Sequence, residues 1–268
     1  MKNLRFRYEM QLQFDAPVKD HHFTLKCMPK SNERQTIRNR TELVHPSHTI
    51  SRAEDSFGNL CIYGYTDQPH TLFEVIVEGE AVTGCAPWET AEDNCHMGRY
   101  RYATAYTKPG EALSAYYLRH LADSTASTNL EKSIALMHDL YRDFSYVQGV
   151  TTVNTTAEEA LAGGQGVCQD YAHIMIALCR MAGIPARYVV GMLIGEGQSH
   201  AWVEIYDSGR WYALDPTNDL IVDDQHIRIS VGRDCYDCRI NQGSFRGVPV
   251  SQVQTIRVSV EEMEEMIW

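Results

Sequence analysis

The 268-residue sequence predicts an α+β fold: an antiparallel β region, then a core in which a central, cysteine-bearing helix packs on an antiparallel sheet. Three observations lead there. Period-two alternation runs up to about residue 106, and helical periodicity replaces it after "YTKPGEA". An apolar run beginning at Cys168 is then followed by two strand-like segments joined through "SG". The composition, 44% hydrophobic and 22% charged, is that of an ordinary globular chain and excludes a disordered or fibrous protein.

The β region is read from "RYEMQLQF", "HHFTLKCMP", "NLCIYGYT" and "HTLFEVIVEGEAV", separated by the turn sequences "DAP", "KSN" and "DSFGN". The last strand is the clearest. Leu72, Glu74, Ile76 and Glu78 share one face, and Phe73, Val75 and Val77 the other. "KPGEALSAYYLRHLADS" opens the helical part. "NLEKSIALMHDLYRDFSY" follows, with apolar residues at Leu130, Ile134, Met137 and Tyr141. In "NTTAEEALAGG", Thr155 or Thr156 is the expected N-cap and Gly163–Gly164 the stop. The change of pattern divides the chain into residues 1–108 and 109–268.

From Tyr171 to Met181 the residues are apolar nearly all round, so this helix is expected to be buried on most sides. It ends at "AGIP", where Gly183 suits a left-handed cap and Pro185 cannot continue the helix. Cys168 thus falls in the first turn, where unpaired N–H groups and the helix dipole favour a thiolate. Gly163, Gly164 and Gly166 permit close approach and unusual dihedrals just before it.

"ARYVVGMLIG" and "HAWVEIYD" read as strands flanking the turn "EGQS", and "SG" turns the chain into "RWYALDPT". If Ser208–Gly209 is a two-residue hairpin loop, Asp207 faces Arg210 and Trp202 faces Asp215. His200 and Asp215 are then diagonal neighbours on one face, about 7–8 Å apart at the backbone and within reach of a side-chain hydrogen bond. A thiolate to attack a carbonyl, an imidazole to carry the proton and a carboxylate to orient the imidazole form a complete nucleophilic set. The Cys168 N–H is one candidate donor to the oxyanion; no second one is legible. Singly, each residue has a plainer reading: a small core residue, a strand-end histidine and an Asp-Pro turn opener.

Together, "GQGVCQDYAHIMIALCRMAGIPARYVVG", "SHAWVEIY" and "WYALDPTN" resemble the three core motifs of the transglutaminase-like superfamily, which has a papain-like core. The branch resembled is that of bacterial transglutaminase-like proteins with a β-rich N-terminal domain. "DSFGN", "PHTLFEVIVE", "HIRISVGRDCYDC" and "NQGSFRG" extend the likeness over nearly the whole chain. The resemblance implies Cys168 as nucleophile, His200 as general base and acid, and Asp215 as orienting carboxylate. It also implies a thioester route to hydrolysis of a peptide or isopeptide amide, or to transfer of the acyl group to an amine, with a non-catalytic peptide-binding module as the alternative of another class. Animal transglutaminases place a tryptophan upstream of the cysteine; this chain has Tyr146 in "RDFSYVQG" instead. No acidic loop matches their calcium site, so no metal or cofactor is expected.

A net charge of −11 argues against a nucleic-acid partner. No run approaches the roughly 18 apolar residues of a membrane span. "MKNLRFRYEMQLQF" alternates like a strand, unlike a signal peptide. The expected partner is a peptide or protein carrying the scissile amide, and the expected location the cytoplasm, where the eight cysteines are thiols. Cys235 and Cys238 form a C-x-x-C without a second pair and are read as packing residues; Cys179 is read as core and His173 as structural. "HH" at 21–22 and "HPSH" at 45–48 are read as exposed histidines, and "EEMEEMIW" as a solvated tail.

Overall fold

The first strand organises the N-terminal part. In β1 (Lys2–Leu25) the buried residues Leu4, Phe6, Tyr8, Met10, Leu12 and Phe14 are all even-numbered, whereas beyond Val18 the buried residues are His21, Phe23 and Leu25. Because side chains alternate across a strand, this change of parity needs an irregularity: one register shift falls between Gln13 and Val18, across "DAP", and the one at which parity changes lies between Lys19 and His22, where Asp20 takes φ 49°. "DAP" is therefore not a turn; the strand runs through it and bends from one sheet layer into another. The computed structural model in which these features are seen describes residues 1–91, 95–121 and 126–263.

The first half of β1 pairs with β5 (His70–Thr83) on one side, and β5 carries β2 (Gln35–His45). As expected, Phe73, Val75 and Val77 of β5 face the core. The second half pairs with β4 (Leu60–Thr66), which carries β3 (Thr49–Glu54). The loop "DSFGN" between these two is tied by the Asp55 carboxylate, which accepts from the N–H groups of Phe57 and Asn59.

Among the described residues, the chain from Glu89 onward supplies a six-stranded sheet and four α-helices. The helices are α1 (Glu111–His120), α2 (Asn129–Asp143), α3 (Ala157–Gly163) and α4 (Cys168–Met181). Its strands include β6 (Glu89–Thr90), β9 (Ala186–Leu193), β11 (His200–Asp207), β12 (Arg210–Asp215), β13 (Leu220–Ile221) and β14 (His226–Gly232), in the order β13-β12-β11-β9-β14 with β6 on β12. Between α2 and α4, β7 (Ser145–Tyr146) and β8 (Gln165–Gly166) form a two-stranded parallel pair. One face of the larger sheet packs on the helices, through residues such as Tyr188, Val203 and Ile205. Met192, Ile227 and Ile229 pack on the N-terminal sheet. Met192 shares its face with Tyr188 and Val190 at the end of the strand, and the opposite face, with Val189, Trp202 and Val231, packs on Phe57, so β9 of this sheet is buried almost throughout. Charges inside it are paired: Glu204 meets Arg187 and Arg228, both of which also reach Glu89 of β6.

The C-terminal strands return to the N-terminal layer. β15 (Asn241–Arg246) pairs with the second half of β1, and β16 (Gln252–Glu262) with its first half. Residues 1–108 alone therefore do not make up the N-terminal layer. β10 (Gly195–Gly197) pairs with β16, so part of the expected "EGQS" turn is a strand. Glu261 and Glu262, expected in a tail, lie in a strand register with Arg5 and Leu4; residues 264–268 lie outside those described.

Two further differences are local. The buried stripe of α2 is Ser133, Leu136, Met137 and Leu140, and Tyr141 is exposed. Ser133 satisfies its hydroxyl on the Asn129 carbonyl and sits 3.7 Å from the Cys179 sulfur, so a small residue lets α2 approach α4. His21 is buried rather than exposed, stacked on His70 within a cage that includes Phe14, Phe73 and Phe245. Burial holds its pKa down at about 4. His22, His45 and His48 are exposed, as expected.

Candidate active site

Cys168 is the first residue of α4, and the local sequence explains why the helix starts there. The Asp170 carboxylate accepts from the Val167 N–H at 2.8 Å and from the Thr151 hydroxyl at 2.7 Å, fixing the chain on both sides of the cysteine. That carboxylate fills the space beside Gly166, where a Cβ would stand 2.5 Å from Oδ2. Gly164 has another role. It caps α3 in the left-handed conformation, φ 69°, following the Thr156–Glu159 capping box. One turn into α4, the Tyr171 hydroxyl donates to the Phe144 carbonyl at 2.6 Å and locks the helix to the end of α2.

The hairpin loop is as the sequence predicts. Ser208 and Gly209 take φ values of 48° and 82°, and the pairs Asp207↔Arg210 to Val203↔Leu214 follow. The unslipped register brings His200 Nε2 within 2.7 Å of Asp215 Oδ2. With Nε2 engaged by the carboxylate, Nδ1 is the ring nitrogen left free of Asp215, and Cys168 lies beside His200 on the wall of one groove. Cys168, His200 and Asp215 therefore meet, with Cys168 half-buried and Asp215 wholly buried.

The electrostatics follow from this geometry. Burial pulls the His200 pKa down, but the hydrogen bonds to Asp215 and Cys168 and the charge of the carboxylate outweigh it and leave the imidazole at about 10. Burial pushes Asp215 up, but its hydrogen bonds to His200 and His226, the His200 charge and the Asn218 amide hold it well below the usual carboxylate range. The "DPTN" turn adds to this: Oδ1 accepts from the N–H groups of Thr217 and Asn218, and Oδ2 from the Asn218 side chain at 2.7 Å. Asp215 is at once turn opener and orienting carboxylate.

His226 is the member that sequence reasoning missed. It is buried at the start of β14, with Nε2 3.3 Å from the same Oδ2. Trp202 lies edge-on to it, centroids 5.3 Å apart, beneath both imidazoles. Gly191 makes room for that indole, since a Cβ there would lie 2.3 Å from the ring and 2.2 Å from the Ile227 carbonyl oxygen. No spacing rule finds His226, because β14 reaches the site across β9 rather than through a hairpin. Among the described residues, His200, Asp215 and His226 are the one group of three whose ligand atoms lie within 4.8 Å of one another. Both Nε2 protons point at one oxygen, so a cation there would first have to displace them.

The other singled-out residues are structural. His173 is fully buried between Tyr106 and Tyr188, accepts the Cys235 N–H at 3.1 Å, and has its pKa lowered to about 3 by burial. Its Nδ1 has no protein partner. Cys179, Cys235 and Cys238 are buried free thiols, and burial pushes the first two up to about 12. Cys168 opens onto a groove of about 620 Å³, lined also by Tyr146, Gln148, Glu196 and Ser199. That volume lies within the usual range for ligand sites.

Residues 119–216 match the family model described as transglutaminase-like superfamily, and residues 4–82 that of the bacterial transglutaminase-like N-terminal region. An uncharacterized protein of Mycobacterium bovis is 33% identical, covering 78% of this chain and 76% of its own. Another, of Mycobacterium leprae, is 29% identical over 92% and 94%. The solved structure "Putative Cysteine Protease from Cytophaga hutchinsonii" has a TM-score of 0.81 at 19% identity, covering 100% of this chain and 92% of its own, and so shares the fold.

Proposed function

The chain belongs to the transglutaminase-like superfamily, and from that premise we propose that it is a calcium-independent cysteine hydrolase of peptide or isopeptide amides. The observation that carries this reading is Cys168 at the start of α4, on one groove with His200, whose imidazole is hydrogen-bonded to the buried carboxylate of Asp215. The Cys168 thiolate adds to the amide carbon, and the oxyanion accepts from the Cys168 N–H at the start of α4. Tyr146, on the groove wall, is proposed as the second donor. The His200 imidazolium gives its proton to the leaving amine, and the thioester remains on Cys168. Water then adds to the thioester, returning its proton to His200 and releasing the acid and the thiolate.

The openness of the groove to water favours hydrolysis over transfer to an amine. Seven free thiols among the described residues, with Cys85 exposed, support a reducing, cytoplasmic setting. The test is twofold. Iodoacetamide near neutral pH is expected to label Cys168 at least ten times faster than exposed Cys85; equal rates would end the nucleophile reading. Incubation with a glutamine peptide and an amine donor, followed by mass spectrometry, is expected to give the acid rather than the cross-linked amide.

A further inference from the structure

One wall of the groove is a strand with an unused edge. β10 is the terminal strand of its sheet; among the described residues it pairs with β16 and with nothing on its other side. All three of its residues are exposed, and all but Gly195 line the groove with Cys168 and His200. Side chains usually shield such an edge. Here a Cβ at either glycine would meet no atom within 4 Å, so open backbone donors and acceptors stand beside the site.

The residue between the glycines adds charge. Among the described residues, the Glu196 side chain makes no hydrogen bond or ion pair and is the only acidic one lining the groove. Arg7 and Arg257 stand on its other flank; Arg7 is taken up by Glu78 and Glu9, and Arg257 lies opposite Glu9 in the strand register, with no ion pair to Glu196 among the described residues.

We infer that the free edge of β10 takes an extended peptide substrate as an added strand, with Glu196 selecting a lysine or arginine side chain near the attacked amide. Strand addition gives affinity through the backbone and specificity through alternate side chains. Glu196 and His200 are four residues apart, at most about 14 Å along the chain, so the basic residue falls within about four positions of that amide. This inference rests on Cys168 acting on peptides, but its test does not need catalysis.

Binding of fluorescent, otherwise uncharged eight-residue peptides carrying a single Lys or a single Glu is measured by anisotropy on full-length Cys168→Ala protein. The Lys peptide is expected to bind about five-fold more tightly, as for one exposed ion pair, and the difference should shrink with added salt. Glu196→Gln should abolish the preference and Glu196→Lys reverse it. N-methylation at alternate backbone positions should weaken binding about five-fold in one phase and not the other. Equal binding of the two peptides, a Lys preference that survives Glu196→Gln, or self-association through this edge seen by sedimentation overturns the inference. Slow iodoacetamide labelling of Cys168 would instead overturn the hydrolase reading alone.

Discussion

Asp215 holds two imidazoles on one oxygen, and the consequences can be measured. The His200 pKa is raised from 6.5 to about 10, so its contribution to stability is complete below about pH 6.5 and is lost as pH rises through 10. Asp215 is depressed, so its contribution is present above the ordinary carboxylate range and is lost on acidification. Melting temperature against pH should therefore be highest between about pH 4 and 6.5, and Asp215→Asn should remove the decline on the alkaline side. The same variant should lower kcat about 10²- to 10⁴-fold and bring the alkaline limb of the rate profile down from about 10. His226→Phe removes one hydrogen bond to the carboxylate and leaves Asp215 more basic; kcat is expected to fall about ten-fold with KM unchanged and the alkaline limb raised. A purely structural role would leave that limb in place. Cys168, His200 and Asp215 were legible because helix start and hairpin parity are local rules. His226 and Trp202 were not, because cross-sheet neighbours are set by strand order.

Among the elements, the start of α4 depends on a glycine for a specific reason. Gly166→Ala would push a methyl group into the Asp170 carboxylate that caps the helix, with Cγ 2.8 Å away as well as Oδ2 at 2.5 Å. A loss of about 1–3 kcal/mol is expected, read as a lower melting temperature. Asp170→Ala made on top of it should cost less than it does alone, because the clash and the cap share one carboxylate. The sequence marked three glycines here as permissive. The structure separates them: Gly164 for its dihedral, Gly166 for its empty space, and Gly163, with nothing within 4 Å, for neither. On α2, Leu130, Ile134 and Met137 pack on the core as expected, and Tyr141 alone does not. Polar Ser133 belongs to the buried stripe because it satisfies its own hydroxyl, which hydrophobic periodicity cannot register.

Across the whole molecule, the class was legible because period two and period 3.6 occupy different halves of the chain. The joining of those halves was not, since strands far apart in sequence leave no periodic signal of whom they pair with. β16 borders β1 along eleven consecutive residues and is also the partner of β10. Removing residues 252–268 should therefore expose the edge of β1 and release the wall of the groove. Hydrogen exchange should show lost protection at residues 4–14 and 195–197, and soluble yield should fall. The order of synthesis gives this pairing a meaning in time. A ribosome delivers β1 well before β16, so β1 waits for all the strands and helices between them before this second neighbour arrives, with an edge open to aggregation meanwhile. By the same order, the rim beside Cys168 is completed only once β16 is made. A nascent chain would carry its thiol, imidazole and carboxylate while still lacking the strand that supports the proposed peptide-binding edge, and is expected to gain activity only after β16 has been made.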